Sequence, residues 1–265
     1  MLSVKNLDFS YKLKRKSHRV FDQLTVDFAK GFNVILGPNG AGKSTFLKAV
    51  FGLLDYEGEI TYQGKCLTSM KLEDKTKFMA YLPQMDVDVS TLTVLEMVLL
   101  GRLPELGHKV SDEDLEVTMN TLRAFNIQEL ATRNFSELSG GQKKLVFIAQ
   151  TLVRSPQLIL LDEPVNSLDL QKQLELCHLL QNIVVEQAVD VVVVLHDINL
   201  AARYAQHVVV FDERGKCYDF GTPDFVICEK MLRDVYGVVA DVTRGKNGIP
   251  VVSPLRSVRG KSMSV

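Results

Sequence analysis

No stretch of this chain is apolar for the about 20 residues that a membrane-spanning helix requires. The purely apolar runs are short, such as Val191 to Leu195, so any role at a membrane is peripheral. Cysteine is scarce. Cys66, Cys177, Cys217 and Cys228 stand far apart with no C-x-x-C pair, which fits neither a disulfide framework nor a zinc site and reads as free thiols in a reducing compartment. An excess of one charge is missing too: 31 Lys and Arg face 32 Asp and Glu, a formal net charge of −1, and nothing in that balance argues for a nucleic-acid partner. Tandem duplication and low-complexity tracts are absent. The opening MLSVKNLDFSY has neither the basic start nor the apolar core of a signal peptide. It alternates like a strand, and the chain is expected to stay in the cytoplasm.

What remains is an ordinary globular composition, 46% hydrophobic and 24% charged over 265 residues, enough for one large α/β domain or a core carrying a subdomain. Four runs, Phe32 to Leu36, Leu158 to Leu161, Val191 to Leu195 and Val208 to Phe211, are continuously apolar, or nearly so, and rich in Val, Ile and Leu. Strands covered on both faces of a parallel sheet read this way. Helix-period segments lie between some of them, which makes the core α/β. From about Val89 to Arg154 the pattern turns helical. Thr93 and Glu96 form a capping box ahead of Val94 to Leu100, with Gly101 as a stop. Ser111 opens a further helix, acidic in its first turn, with Leu115, Met119 and Leu122 on one face. The stretch is expected to be a helical subdomain (about 89–154) inserted into a core (about 1–88 and 155–245). The tail (about 246–265) has no periodicity and is expected to be loosely held.

Gly37-Pro38-Asn39-Gly40-Ala41-Gly42-Lys43-Ser44-Thr45 matches G-x-x-x-x-G-K-[ST], after a strand-like run and before a helix-like one, Phe46 to Leu54. Glycines let the backbone wrap a phosphate, successive N–H groups form an anion nest, and the helix start adds its positive dipole end. Lys43 can reach the β- and γ-phosphates of a nucleotide and the Ser44 hydroxyl can ligate Mg²⁺. In Leu158-Ile-Leu-Leu-Asp-Glu-Pro164, Asp162 and Glu163 emerge at the carboxyl end of a buried strand, where parallel sheets bind ligands. Asp162 is placed to hold the Mg²⁺ shell and Glu163 to polarise a water against the γ-phosphate. Leu138-Ser139-Gly140-Gly141-Gln142 is a capping box, Ser139 to Gln142, opening a helix with Leu145, Ile148, Ala149 and Leu152 inward. Its glycines bare N–H groups at a positive helix end, a second anion site.

These segments, with LPQ ending at Gln84, NSLD from Asn166 to Asp169 and LHD at His196, stand in the order found in ATP-binding-cassette ATPases. From Met1 to about Thr222 the chain resembles that family. The resemblance implies a P-loop NTPase (RecA-like) core with an N-terminal antiparallel β part and an inserted α-helical subdomain. It implies ATP and Mg²⁺ as cofactors and a head-to-tail homodimer in which Ser139 and Gly141 of one subunit meet the γ-phosphate held by Lys43 of the other. Asp169 would line the shared interface, and His196 would contact the γ-phosphate and hold Glu163 and water. Gln84 would touch Mg²⁺ or water and report on the membrane partner, and Tyr11 would stack on adenine. The family pattern differs at Val165, at Lys143-Lys144 and at Phe32, without loss of a catalytic group. The basic run Lys12 to Arg19 reads as a solvated hairpin loop, with contact to lipid head groups as the alternative.

One phosphate loop, no long coiled coil and no spanning helices set aside the chromosome-maintenance, translation-factor and fused-exporter branches. Thr91 to Arg102, His196 to Ala205, Phe220 to Pro223 and Gly248 to Pro254 resemble importers of metal chelates: ferric siderophores, haem and cobalamin. Permease subunits, and indirectly a substrate-binding protein, are the partners this implies. A soluble assembly factor of the iron–sulfur type, or the cassette of an exporter, are the alternatives left open.

Overall fold

The structure is a computed structural model that describes residues 1–13, 16–84, 90–103, 105–106, 109–166 and 168–258. A mostly parallel sheet forms its centre, in the order β10 (Cys217–Gly221), β9 (His207–Phe211), β3 (Phe32–Leu36), β8 (Asp190–Val194), β7 (Leu158–Asp162), β6 (Met79–Leu82). The pairs from β9 to β6 are parallel, and β10 closes one edge antiparallel. A second, antiparallel sheet runs β2 (Lys16–Phe28), β1 (Leu2–Leu13), β4 (Glu57–Tyr62), β5 (Lys65–Cys66). β11 (Val238–Arg244) and β12 (Pro250–Ser257) form a separate hairpin.

The Val- and Ile-rich runs are strands because each strand is covered on both faces. Side chains alternate across a strand with period 2, and here the alternation divides them between two cores. Val191 and Val193 pack with the helices on one face, while Val192 and Val194 pack with the antiparallel sheet on the other. Phe32, Val34 and Leu36 lie in the first core and Ile35 in the second. Phe32, where the family pattern has an acidic residue, is fully buried.

α1 (Lys43–Phe51) sits between the sheets and ends at Gly52, earlier than the sequence suggests. α2 (Leu72–Lys75) precedes β6. The helical stretch holds α3 (Val94–Leu99), α4 (Asp112–Ala124) and α5 (Gly140–Leu152), with α6 (Leu170–Gln187) following β7. Thr93 and Glu96 make the expected reciprocal box, and Ser111 makes one with Asp114. α7 (Ile198–Tyr204), α8 (Pro223–Val226) and α9 (Glu229–Tyr236) complete the chain's helices among the described residues. None is long and apolar enough to cross a membrane.

Four further expectations change. Gly101 does not stop α3: the chain continues into a 3₁₀ turn, Leu100–Arg102, and the glycine is there for closeness to α5. A Cβ on it would lie 2.7 Å from Val153 Cγ1 and nearer still to the Gln150 carbonyl oxygen. Gly101→Ala is therefore expected to lower the melting temperature, by an amount corresponding to about 2 kcal/mol or more; an unchanged melting curve would show that α3 and α5 separate freely. Leu115 is exposed while Leu122 is buried, because the buried face of α4 runs through Asp114, Thr118 and Leu122 and leaves Leu115 beside it. The basic run is not a loop: residues 16–19 lie in β2, Tyr11 pairs with His18, and Arg19 pairs with Asp8 and Asp22; residues 14–15 are outside the described set. The tail is not loose through 250–257, since β12 pairs along β11; residues 259–265 are outside the described set. Its alternation, with Pro250 and Val252 in and Val251 and Ser253 out, is too short to register against Pro, Ser and Arg neighbours.

Candidate functional site: a nucleotide cleft at the strand ends

The loops that leave the carboxyl ends of β3, β8, β7 and β6 stand side by side in that order, because the sheet places those strands next to one another. They carry, respectively, the phosphate loop, His196, Glu163 and Gln84. A cleft of about 680 Å³ lies over them. Lys43, Ser44, Thr45, Gly40, Gly42 and Asn39 line its floor, with Gln84, Glu163, Asn166 and His196 to one side and Tyr11, His18 and Val20 to the other. Residues distant in sequence thus share one cavity.

In the loop, Asn39 and Gly40 form the turn and Ala41 is buried, its N–H donating to the Pro38 carbonyl at 3.3 Å. Gly40 and Gly42 have φ of 84° and 88°. A side chain at Gly42 would collide with Val20 and Phe21 beneath it, so sterics as well as backbone conformation demand glycine there. Lys43 is 5% exposed, and its ammonium donates to the Gly37 and Pro38 carbonyls at 2.8 Å each. Burial pushes its pKa down, and the nearby Glu163 and Asp162 carboxylates work in the opposite direction.

Ser44 donates its hydroxyl to Asp162 Oδ1 at 3.0 Å. Burial raises the Asp162 carboxyl above its ordinary range against the Ser44 hydrogen bond, which works to lower it. The folded state binds the Asp162 proton more tightly than the unfolded state, so the ionised group opposes folding at neutral pH and that cost disappears as pH falls through the folded pKa. In EDTA and without nucleotide, Asp162→Asn is expected to melt a few degrees above the parent at pH 7.5, with the gap closing toward acid. A scan showing the variant less stable at neutral pH would contradict this.

Glu163 follows with φ of 53°, a conformation side-chain-bearing residues rarely adopt and one that clusters at functional sites. The turn aims its carboxylate across the cleft. His196 Nε2 lies 2.5 Å from Glu163 Oε1, and Asn166 donates its side-chain amide to Oε2. Asn166 belongs to the NSLD segment, but its grip on Glu163 is visible only once the chain turns back after Pro164. Tyr11 is exposed on β1 with its hydroxyl 3.2 Å from Thr45 Oγ1. Its cross-strand neighbour His18 adds a second ring to that wall, a contribution that depends on hairpin register and not on a motif.

Ser139, Gly140, Gly141 and Gln142 are elsewhere. Ser139 Oγ accepts from the Gln142 N–H at 3.3 Å, and Gln142 Oε1 accepts from the Ser139 N–H at 3.0 Å, the reciprocal box that opens α5. Ser139, Gly141 and Gln142 line a second cleft, of about 800 Å³, together with Asp169, whose carboxylate caps α6 through the Lys172 N–H. The two phosphate-type surfaces of one chain therefore face different cavities. Ser167 lies outside the described residues.

A glycine-rich loop between a buried strand and a helix, an Asp at the next strand end but one, and a cleft of nucleotide size define a phosphate-binding ATPase class. The profile of the ABC transporter family matches residues 21–166, and the chain belongs to that family. An ABC transporter ATP-binding protein of Methanocaldococcus jannaschii is 38% identical over 257 residues, 96% of this chain and 98% of that one. A petrobactin import ATP-binding protein of Bacillus anthracis is 36% identical over 225 residues, 84% and 82% of the two chains. Among solved structures, an ABC transporter assigned to the metal-chelate type, in an inward-facing conformation, superposes with a TM-score of 0.81 at 29% identity over 96% of this chain and 97% of that chain. The chain is an ATPase of the kind coupled to transport.

Proposed function

We propose that this chain is the energy-coupling ATPase of an importer for an iron chelate or haem, acting as a homodimer on the cytoplasmic face of a membrane against a permease. The observation that carries the dimer is the separation of the two clefts. Among the described residues, Ser139 and Gly141 line a different cleft from Lys43, so a second copy, head to tail, is what brings the bare amides of α5 over a γ-phosphate. The import reading is supported by the petrobactin relative and the metal-chelate neighbour. In this reading residues from about 89 to 154 act as the helical subdomain that receives the permease beside Gln84; the boundary near 88 lies outside the described residues.

The residues divide the work. Lys43 exchanges its two carbonyl partners for phosphate oxygens, and the amides of Gly40 to Thr45 cradle the β-phosphate. Tyr11 stacks against the base. Glu163 orients and deprotonates the attacking water, while His196 and Asn166 hold its carboxylate in one rotamer. No group of three or more His, Cys, Asp or Glu among the described residues is placed to hold a metal. The donors available, Ser44 hydroxyl, Asp162 carboxylate and Gln84 amide, are few and hard, which suits Mg²⁺ completed by substrate phosphates and water. Bound there, Mg²⁺ would neutralise charge developing on the transferred phosphoryl group.

The reading is tested by tagging the chain, extracting membranes in mild detergent and reconstituting what co-purifies. A stoichiometric polytopic protein that drives ATP-dependent uptake of a ferric siderophore or haem into vesicles is the expected result. Recovery of soluble partners alone, with the chain absent from membranes, would overturn the importer assignment in favour of an assembly role.

A further inference from the structure

The C-terminal segment is wired to the nucleotide loops at two separate points. The ladder of β3 ends at Leu36, so the buried N–H of Gly37, first residue of the phosphate loop, falls outside the sheet. It donates to the Tyr236 hydroxyl at 2.8 Å. Tyr236 is the last residue of α9, capped by Gly237 in the left-handed region, and β11 starts immediately after it. The far end of the hairpin returns to the same place, where the Val258 N–H donates to the Gly237 carbonyl at 2.7 Å. At the second point, Asn199 binds the β12 backbone twice: Val252 N–H donates to its Oδ1 at 2.8 Å, and its Nδ2 donates to the Val252 carbonyl at 3.2 Å. Asn199 lies in the first turn of α7, whose cap Asp197 accepts from the Asn199 and Leu200 N–H groups and directly follows His196.

We infer that residues 229–258 are a brace for the nucleotide site, and that Tyr236 is a positioning residue that sets the entry of the phosphate loop by holding Gly37. The inference rests on the cleft being the ATP site. Three features carry it. Gly37 also supplies one of the two carbonyls that bind the Lys43 ammonium, so its peptide planes set where Lys43 starts. Its φ of 147° and the Phe211 carbonyl beneath it leave no room for a side chain to brace the turn from within, and the hydroxyl arriving from α9 does so from outside. Burial pushes the Tyr236 phenol up to about 12, so it remains a neutral hydroxyl throughout the working pH range. Gly37 precedes the amides that cradle phosphate, so Tyr236 acts on how well ATP is held and not on the bond being broken.

The test is steady-state ATPase kinetics and direct ATP binding on the full chain, comparing the parent with Tyr236→Phe and Met231→Ala. Tyr236→Phe removes one oxygen. Its KM and Kd for ATP are expected to rise about fivefold, the fold-change of one lost neutral hydrogen bond, with kcat held within about twofold. Met231 is fully buried on the same helix; its truncation is expected to lower the melting temperature and leave KM unchanged. If Tyr236→Phe keeps the parental KM, or if Met231→Ala raises KM as much as Tyr236→Phe does, the brace is only structural and the inference falls. A parent chain that neither binds nor hydrolyses ATP would instead sink the nucleotide-site reading itself.

Discussion

Replacing Glu163 by glutamine is expected to stop ATP turnover while leaving ATP binding in place and accumulating a nucleotide-bound dimer. The substitution keeps size and hydrogen-bonding reach but removes the anion that takes a proton from water. A positioned general base contributes about 10²–10⁴-fold, equivalent to about 3–5 kcal/mol of activation free energy. Binding survives because the side chain does not belong to the phosphate cradle; it stands across the cleft, held by His196 and Asn166. Single-turnover hydrolysis and size-exclusion chromatography in ATP measure the two effects. Normal turnover in Glu163→Gln would remove Glu163 from the role of base.

Lys43→Ala is expected to fail one step earlier, at binding. Among the described residues the ammonium is the one positive side chain lining the floor of the cleft, and removing a buried partner of a polyphosphate weakens affinity by at least about 100-fold. Misfolding is separable from that loss. Burial disfavours the Lys43 charge, so alanine removes a desolvated cation and the melting temperature without nucleotide should move by only a few degrees. The rise in melting temperature that ATP produces in the parent by mass action should vanish in the variant. Retained ATP affinity would count against the phosphate-loop assignment.

The two variants are expected to fail at different steps because the sheet puts their residues on separate strand ends, Lys43 after β3 and Glu163 after β7, with β8 between them. Local signals made each end readable. A run of four or five residues, apolar or nearly so and bounded by glycine or an acidic pair, reads as a strand buried on both faces, and the residues just past it stand at its carboxyl edge. The phosphate loop, the Asp162-Glu163 pair, the capping boxes at Thr93 and Ser139 and the family itself are all carried by such short-range patterns, since a backbone cradle or a helix cap depends on residues three to eight apart.

What depends on residues far apart was decided by the folded chain. β6, four residues long, is too brief to show a period, and its place at the sheet edge positions Gln84. The β1–β2 register brings His18 beside Tyr11, and one residue of slip would send it to the other face. Gly101 reads as a helix stop until α5 is seen packed against it. Tyr236 on Gly37, across 199 residues of chain, follows no spacing rule. It is a single hydrogen bond that exists because the packed cores and sheets of the described residues fix the backbones that carry it. The chemistry of this ATPase is written in contiguous residues because phosphate is bound by consecutive amides; the bracing of that chemistry is written in tertiary contacts, because stiffness comes from packing.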